Sequence, residues 1–157
     1  MEQRHAPLLV IIPPPVFYAL TFLASLLLER FVPWVPHWTQ MRASHWIGWA
    51  LVVISVILAP GSAGLFGLRR TTLNPAGQPA QLVTDGTFKI SRNPMYLGLT
   101  VAYVGLSLAL GRIWPLVFLF VPVALVNAVV IPFEETRMRE TFGDAYLDYS
   151  RRVRRWV

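Results

Sequence analysis

The sequence predicts an all-α, polytopic membrane protein: four transmembrane helices, the last two forming a helical hairpin, followed by an amphipathic cytoplasmic tail. Three observations predict it. Hydrophobic residues make up 55% of the 157 and charged residues only 14%, outside the range of ordinary soluble domains. The mean hydropathy is correspondingly high, at +0.51. The apolar residues are also gathered into runs long enough to cross a hydrocarbon core, which takes about 20 helical residues, with polar residues kept to the edges of those runs.

The expected spans, within one domain, are residues 6–28, 46–68, 94–111 and 113–133. The first is longer than a signal-peptide core, and no small-residue cleavage site follows it before Glu29-Arg30. Pro13, Pro14 and Pro15 stand inside it and predict a kink or an interruption. A short outer loop follows, where Trp34, Trp38 and Trp46 form an interfacial aromatic belt. The second span carries Ala59, Ala63 and Gly67 at four-residue spacing, a stripe suited to close helix contact and to a homodimer, with Pro60 predicting another kink. Residues 69–93 read as a cytosolic loop, rich in turn formers such as Asn74-Pro75 and Asp85-Gly86.

Asn93-Pro94 predicts a helix start, an N-cap side chain followed by a residue that needs no amide partner. Along the third span Gly98, Ala102, Gly105 and Ala109 line one face, able to admit a neighbouring backbone or a ligand. Only Arg112 separates the third and fourth apolar runs, which forces an antiparallel hairpin. In the fourth, Asn127 is expected to hydrogen-bond between helices. Residues 134–157 form the tail, in which Met138, Phe142, Tyr146, Tyr149 and Val153 recur at helical spacing. Gly143 is expected to end one helix there and Asp144 to cap the next.

Charge sets the orientation. Arg4, Arg69, Arg70, Lys89, Arg92 and the six arginines after Phe133 fall on one side of a four-span arrangement; Arg30, Arg42 and Arg112 fall on the other. The positive-inside rule places both termini and the central loop in the cytoplasm. The net charge of +6 then reads as topology and contact with anionic headgroups, not as nucleic-acid binding. The absence of cysteine excludes disulfides and thiolate sites, and His5, His37 and His45 lack ligand spacing, so no metal site is expected.

The hairpin brings two polar clusters to one membrane face: Arg92-Asn93-Pro94-Met95-Tyr96 at the start of the third span and Glu134-Glu135 at the end of the fourth. Paired carboxylates against an apolar wall are costly unless they are paired or bind something. On a helix the two side chains diverge by about 100°, so one is expected to face a ligand and the other an arginine.

The residues Leu82-Val83-Thr84-Asp85-Gly86-Thr87-Phe88, Arg92 to Gly98, Glu134-Glu135, Phe142-Gly143, Tyr146, Tyr149 and Arg152-Val153 resemble the ordered motifs of the isoprenylcysteine carboxyl methyltransferase and phospholipid methyltransferase group of integral-membrane enzymes. The resemblance covers residues 82–157. It implies an S-adenosylmethionine-dependent methyltransferase with a lipid-like or amphiphilic acceptor, working at the cytosolic face of the bilayer. It also implies cofactor contacts from Ala80, Gln81, Leu82, Val83, Phe88, Asn93, Pro94, Met95, Tyr96 and Glu134.

Three departures from the pattern stand out: Asn93 replaces a histidine, Val130 an arginine that binds substrate in prenylcysteine enzymes, and Arg154 a proline. The change at Val130 predicts poor turnover of farnesylcysteine-type acceptors and a gain on Val130→Arg, with Arg152 or Arg155 able to fill the vacancy. For an amine acceptor, such as an ethanolamine headgroup, Glu135 is the expected general base. A nicotinamide-dependent reductase on a related scaffold and a non-enzymatic scaffold subunit are the competing readings.

Overall fold

The computed structural model describes residues 10, 12–68 and 81–157. Among them every regular element is helical. The first, α1 (Pro14–Phe31, 18 residues), starts on the proline run, where the helical backbone is interrupted at Ile12 and Pro13. Prolines fit the first positions of a helix, where the amides lack intrahelical partners in any case. A 3-10 turn at His37–Gln40 leads into α2 (Arg42–Leu68, 27 residues), which keeps Pro60 in its interior. A second 3-10 turn, Gly86–Lys89, lies in the loop before α3 (Pro94–Ala109, 16 residues).

Beyond a turn centred on Gly111, α4 (Trp114–Phe118), α5 (Phe120–Leu125), a π-helical turn (Val126–Val130) and α6 (Ile131–Phe142) follow one another with helical backbone at every junction. Pro132 lacks an amide for the preceding turn, and the wide π turn lies just where that ladder is broken. The last element, α7 (Asp144–Arg152), forms the tail. Gly143, at φ +50°, takes the junction between α6 and α7. It ends one helix as expected, but it also occupies the N-cap position, so Asp144 falls in the first turn and its side chain caps nothing.

Two helical segments are long and apolar enough to cross a bilayer, Arg42–Leu65 and Trp114–Phe142. Only 17% and 22% of their most apolar stretches are buried inside the protein, whereas a core helix of a soluble domain would be mostly buried. Trp46, Ile47, Trp49, Val53, Ile54 and Ile57 of α2 all face outward, an apolar surface that suits lipid. The other two expected spans are shorter: α1 has 18 residues and α3 has 16. The proline run delays the start of α1, and Gly111, at φ +64°, sits in the turn that stops α3 early.

The four segments alternate in direction. Tyr18 bonds to Thr100 and Glu29 to Arg112, so α1 and α3 run the same way. Gly48 packs at Ala109 and Ala59 at Gly98, so α2 runs against α3. The α2–α3 seam is close enough that a Cβ at Gly98 would lie 2.7 Å from the Ala59 backbone nitrogen, and one at Gly105 would lie 2.9 Å from the Gly48 oxygen. The small-residue face of α3 therefore admits a backbone rather than a ligand, and Ala59 spends its contact within the chain.

Candidate active site

Three pieces of chain meet where α3 begins and α6 continues past the last apolar run. The first is the loop after residue 80. Gly86, at φ +58°, takes a left-handed conformation that would strain any side chain, and it sets the turn against the tip of Leu65 on α2. The Thr87 and Ser62 hydroxyls lie 2.8 Å apart, and Tyr149 Oη donates to the Phe88 carbonyl at 2.7 Å. With Phe88 and Val83 buried against Tyr146 and Tyr149, the loop is clamped between α2 and α7. Burial raises the phenol pKa of both tyrosines, so both are neutral at physiological pH.

The second piece is the start of α3. Asn93 occupies the N-cap position, but its side chain makes no capping bond. Its backbone amide donates to Ser91 Oγ at 3.0 Å, and its Nδ2 donates to the Arg155 carbonyl at 2.9 Å. The expected cap has been exchanged for a tie to the C-terminal segment. Arg92 reaches Glu135 at 3.2 Å and Tyr146 Oη at 3.4 Å, and its buried Nε finds no acceptor.

The third piece is the glutamate pair, and the two carboxylates have opposite surroundings. Glu135 is 5% exposed. It receives Arg155 bidentately at 3.1 and 2.7 Å, Arg92 at 3.2 Å and Arg139 at 3.6 Å. The Arg155 fork fills one acceptor position on each oxygen, and Arg92 and Arg139 stand by as ion pairs. Expected as a general base, Glu135 is placed by the structure as a hub for three guanidinium groups. Its carboxylate also raises the pKa of Arg155, chiefly through their hydrogen bonds. Glu134 accepts a 2.6 Å bond from Tyr96 Oη and, among the described residues, makes no ion pair.

The three pieces enclose a cavity of about 60 Å³. Of the sequence-predicted site residues, Gln81, Leu82, Val83, Phe88, Asn93, Glu134 and Glu135 line it. Tyr96 reaches it through Glu134; Pro94 is buried in the first turn of α3 behind it, and Met95 does not line it. Ala80 lies outside the described residues. Arg152 does not line the cavity: its Nε is spent on the Asp148 carbonyl within α7, and Arg155 is the arginine beyond α7 that reaches Glu135. Val130 does not line the cavity; it is fully buried with Tyr18, Tyr96, Tyr103 and Ile131, so Val130→Arg would place a charge in that core.

Arg92, Met138, Tyr146 and Tyr149 also line the cavity. The helical spacing of the last three marked them only as an apolar face, because a tail that folds back over a loop leaves the same periodic trace as one lying on a membrane.

The profile of the phospholipid methyltransferase family matches residues 43–145, well over half of the chain. The chain belongs to that family. With it comes the enzyme class, a methyltransferase, and a membrane setting in keeping with the two long apolar helices. Among curated proteins, the chain is 28% identical to protein-S-isoprenylcysteine O-methyltransferase B of Arabidopsis thaliana, over 87% of this chain and 71% of that one. It is 29% identical to methanethiol S-methyltransferase of Pseudomonas deceptionensis, over 91% of this chain and 60% of the relative. A methanethiol S-methyltransferase of Bradyrhizobium diazoefficiens is 32% identical over 68% of this chain, which spans 37% of that protein. No solved structure matches.

The residues around the cavity suit the cofactor that such an enzyme implies. A half-buried carboxylate and a buried guanidinium N–H, neither with an opposite partner of its own among the described residues, complement the ammonium and carboxylate of an amino-acid moiety. Phe88 and Tyr149 offer apolar surface beside them. In volume the cavity falls well short of the roughly 300–1,000 Å³ of a small-molecule site, so a nucleotide-sized ligand must widen it.

Proposed function

We propose that the protein transfers a methyl group from S-adenosylmethionine to a lipid-like or amphiphilic acceptor at the cytosolic face of the membrane. The observation that carries this reading is Glu134: a carboxylate at the apolar edge, held by Tyr96 and without a cation among the described residues, beside a loop clamped in place. S-adenosylmethionine supplies an electrophilic methyl on a sulfonium when bound. Glu134, Asn93 and the first turn of α3 would hold it, with the loop from Gln81 to Phe88 as the opposite wall. Positioning carries most of such a reaction, because the nucleophile needs only in-line placement in a site that excludes water.

The surroundings of Glu135 bear on the acceptor. An amine headgroup must lose a proton before it attacks, and the carboxylate expected to take it is already paired with three arginines. An acceptor that arrives as an anion, a carboxylate or a thiolate, needs no such base. Two relatives carry names that put the methyl on oxygen or sulfur, an O-methyltransferase of isoprenylcysteine and an S-methyltransferase of methanethiol; a carboxylate arrives ionised, whereas a thiol reacts through its thiolate fraction and releases its proton to solvent. We therefore favour an anionic oxygen or sulfur acceptor over a phospholipid amine.

Radiolabelled S-adenosylmethionine offered with a prenylcysteine, a small thiol and phosphatidylethanolamine tests the choice. The first two are expected to be methylated faster than the third; preferential labelling of phosphatidylethanolamine would reverse the reading of Glu135. Calorimetric titration with S-adenosylhomocysteine tests the cofactor, and no binding by the purified protein would remove it.

A further inference from the structure

The segment after α7, residues 153–157, does not trail into solvent. It turns back and is tied to three separate elements. At the start of α3, the Arg92 amide donates to the Arg154 carbonyl at 2.9 Å, and the Arg155 carbonyl accepts both Asn93 Nδ2 at 2.9 Å and Ser91 Oγ at 3.2 Å. On α6, the Arg155 guanidinium grips Glu135 through two parallel bonds at 3.1 and 2.7 Å. On the π turn, Trp156 Nε1 donates to Asn127 Oδ1 at 3.2 Å, while its ring packs against the core around Tyr18 and Tyr96. Val153 joins the cluster of Val83, Phe88, Tyr146 and Tyr149.

The groups that this segment satisfies belong to the ligand-facing edge. Asn93 and Glu135 line the cavity, and Arg92 lines it as well. Asn93 sits where a side-chain cap would be expected and makes none, having given its amide to the Arg155 carbonyl. A backbone carbonyl and a bidentate guanidinium from one residue thus fix two walls that belong to different helices. No residue of the segment itself lines the cavity.

We propose that residues 153–157 form a strap that sets the geometry of the cofactor pocket, with Arg155 as the positioning residue. Arg155 holds Glu135 away from the cofactor, leaving Glu134 as the carboxylate that faces it, and locks Asn93 and Arg92 at the start of α3. The inference rests on the proposed cofactor site, and its action is on affinity for the cofactor rather than on the methyl acceptor.

Full-length protein in detergent separates the possibilities. Arg155→Ala is expected to weaken S-adenosylhomocysteine binding about tenfold, the scale of a lost charge-assisted bond. Arg155→Lys, which keeps the charge without the fork, should recover part of that loss. In turnover assays with whichever acceptor the protein methylates, KM for S-adenosylmethionine should rise while KM for the acceptor stays within about twofold. Arg151→Ala, which removes only an exposed pair with Asp148, controls for general loss of arginine and should change neither value.

Amide hydrogen exchange reads the strap without any ligand. The Arg92 amide should be protected in the unmodified protein and exchange at least about tenfold faster in Arg155→Ala. Unchanged affinity in Arg155→Ala, or equal exchange of the Arg92 amide in both proteins, overturns the proposal. If the unmodified protein binds no S-adenosylhomocysteine, the cofactor reading fails, the pocket role of the strap falls with it, and the exchange data still report whether Arg155 orders the start of α3.

Discussion

Replacing Glu134 or Glu135 with glutamine changes the same atoms in neighbouring positions, yet the two variants should behave differently. Glu134 has one strong partner, Tyr96, and no cation among the described residues. Its glutamine variant keeps the shape of the site and loses the charge that a ligand ammonium would meet. Binding of S-adenosylhomocysteine should weaken by about 1.5–3 kcal/mol, with little change in thermal midpoint. Glu135→Gln removes the charge shared by Arg92, Arg139 and Arg155. Breaking a buried ion pair costs about 3–5 kcal/mol, and the low end applies because Arg139 and Arg155 are partly in solvent. Its main effect should be a lower unfolding midpoint. Paired calorimetry and thermal melts check both, and a Glu134→Gln protein that binds as tightly as the unmodified one removes Glu134 from the site.

The sequence showed that two adjacent helical carboxylates must point apart. Which one meets arginine was not legible, because that depends on Arg155, twenty positions away and beyond a glycine turn whose direction no local pattern specifies.

At the helix level, the seam between α2 and α3 makes a second prediction. Gly98 and Gly105 sit where an added methyl would meet backbone atoms of α2 at 2.7 and 2.9 Å. Backbone atoms cannot step aside as a side chain tip can, so Gly98→Ala and Gly105→Ala should destabilise the bundle by about 1–3 kcal/mol. Gly61 and Gly64 are also within α2, but a methyl there meets nothing within 4 Å. Their alanine variants should be neutral or more stable by up to about 1 kcal/mol, since alanine is the better helix former. Melting curves in detergent order the four; equal shifts for all would mean that the seam is looser than the distances say.

The stripe on α3 was visible in the sequence as Gly98, Ala102, Gly105 and Ala109, and the hairpin as two apolar runs with one arginine between them. Two helix ends were harder to read. Proline at the start of a helix and proline inside one look alike in a string of letters, and a glycine in an apolar run gives no sign that its φ is positive.

Taken as a bundle, the alternating helix directions put the loop 81–91, the start of α3, the end of α6 and α7 on one face. The other face holds the Glu29–Arg112 pair, the Trp34–Trp114 contact and the turn at Gly111, where Gln40 Nε2 donates to the Gly111 carbonyl at 3.2 Å. Arginine count is what distinguishes the faces. Arg92, Arg137, Arg139, Arg151, Arg152, Arg154 and Arg155 belong to the first, and Arg30, Arg42 and Arg112 to the second. Such a bias near the ends of the helices orients a chain with its basic face inward.

The sequence has no cysteine, so a single introduced thiol reports its own side without background. In sealed vesicles of known orientation, Arg151→Cys should react with a membrane-impermeant maleimide only from the cytoplasmic side. Met41→Cys, beside the turn that carries the aromatic residues, should react only from the opposite side. Both positions are exposed, so a lack of labelling cannot be blamed on burial. Labelling of both from one side would mean that the chain does not carry its basic and tryptophan-bearing faces across the bilayer, and a cofactor site facing the cytosol would then lose its physical basis.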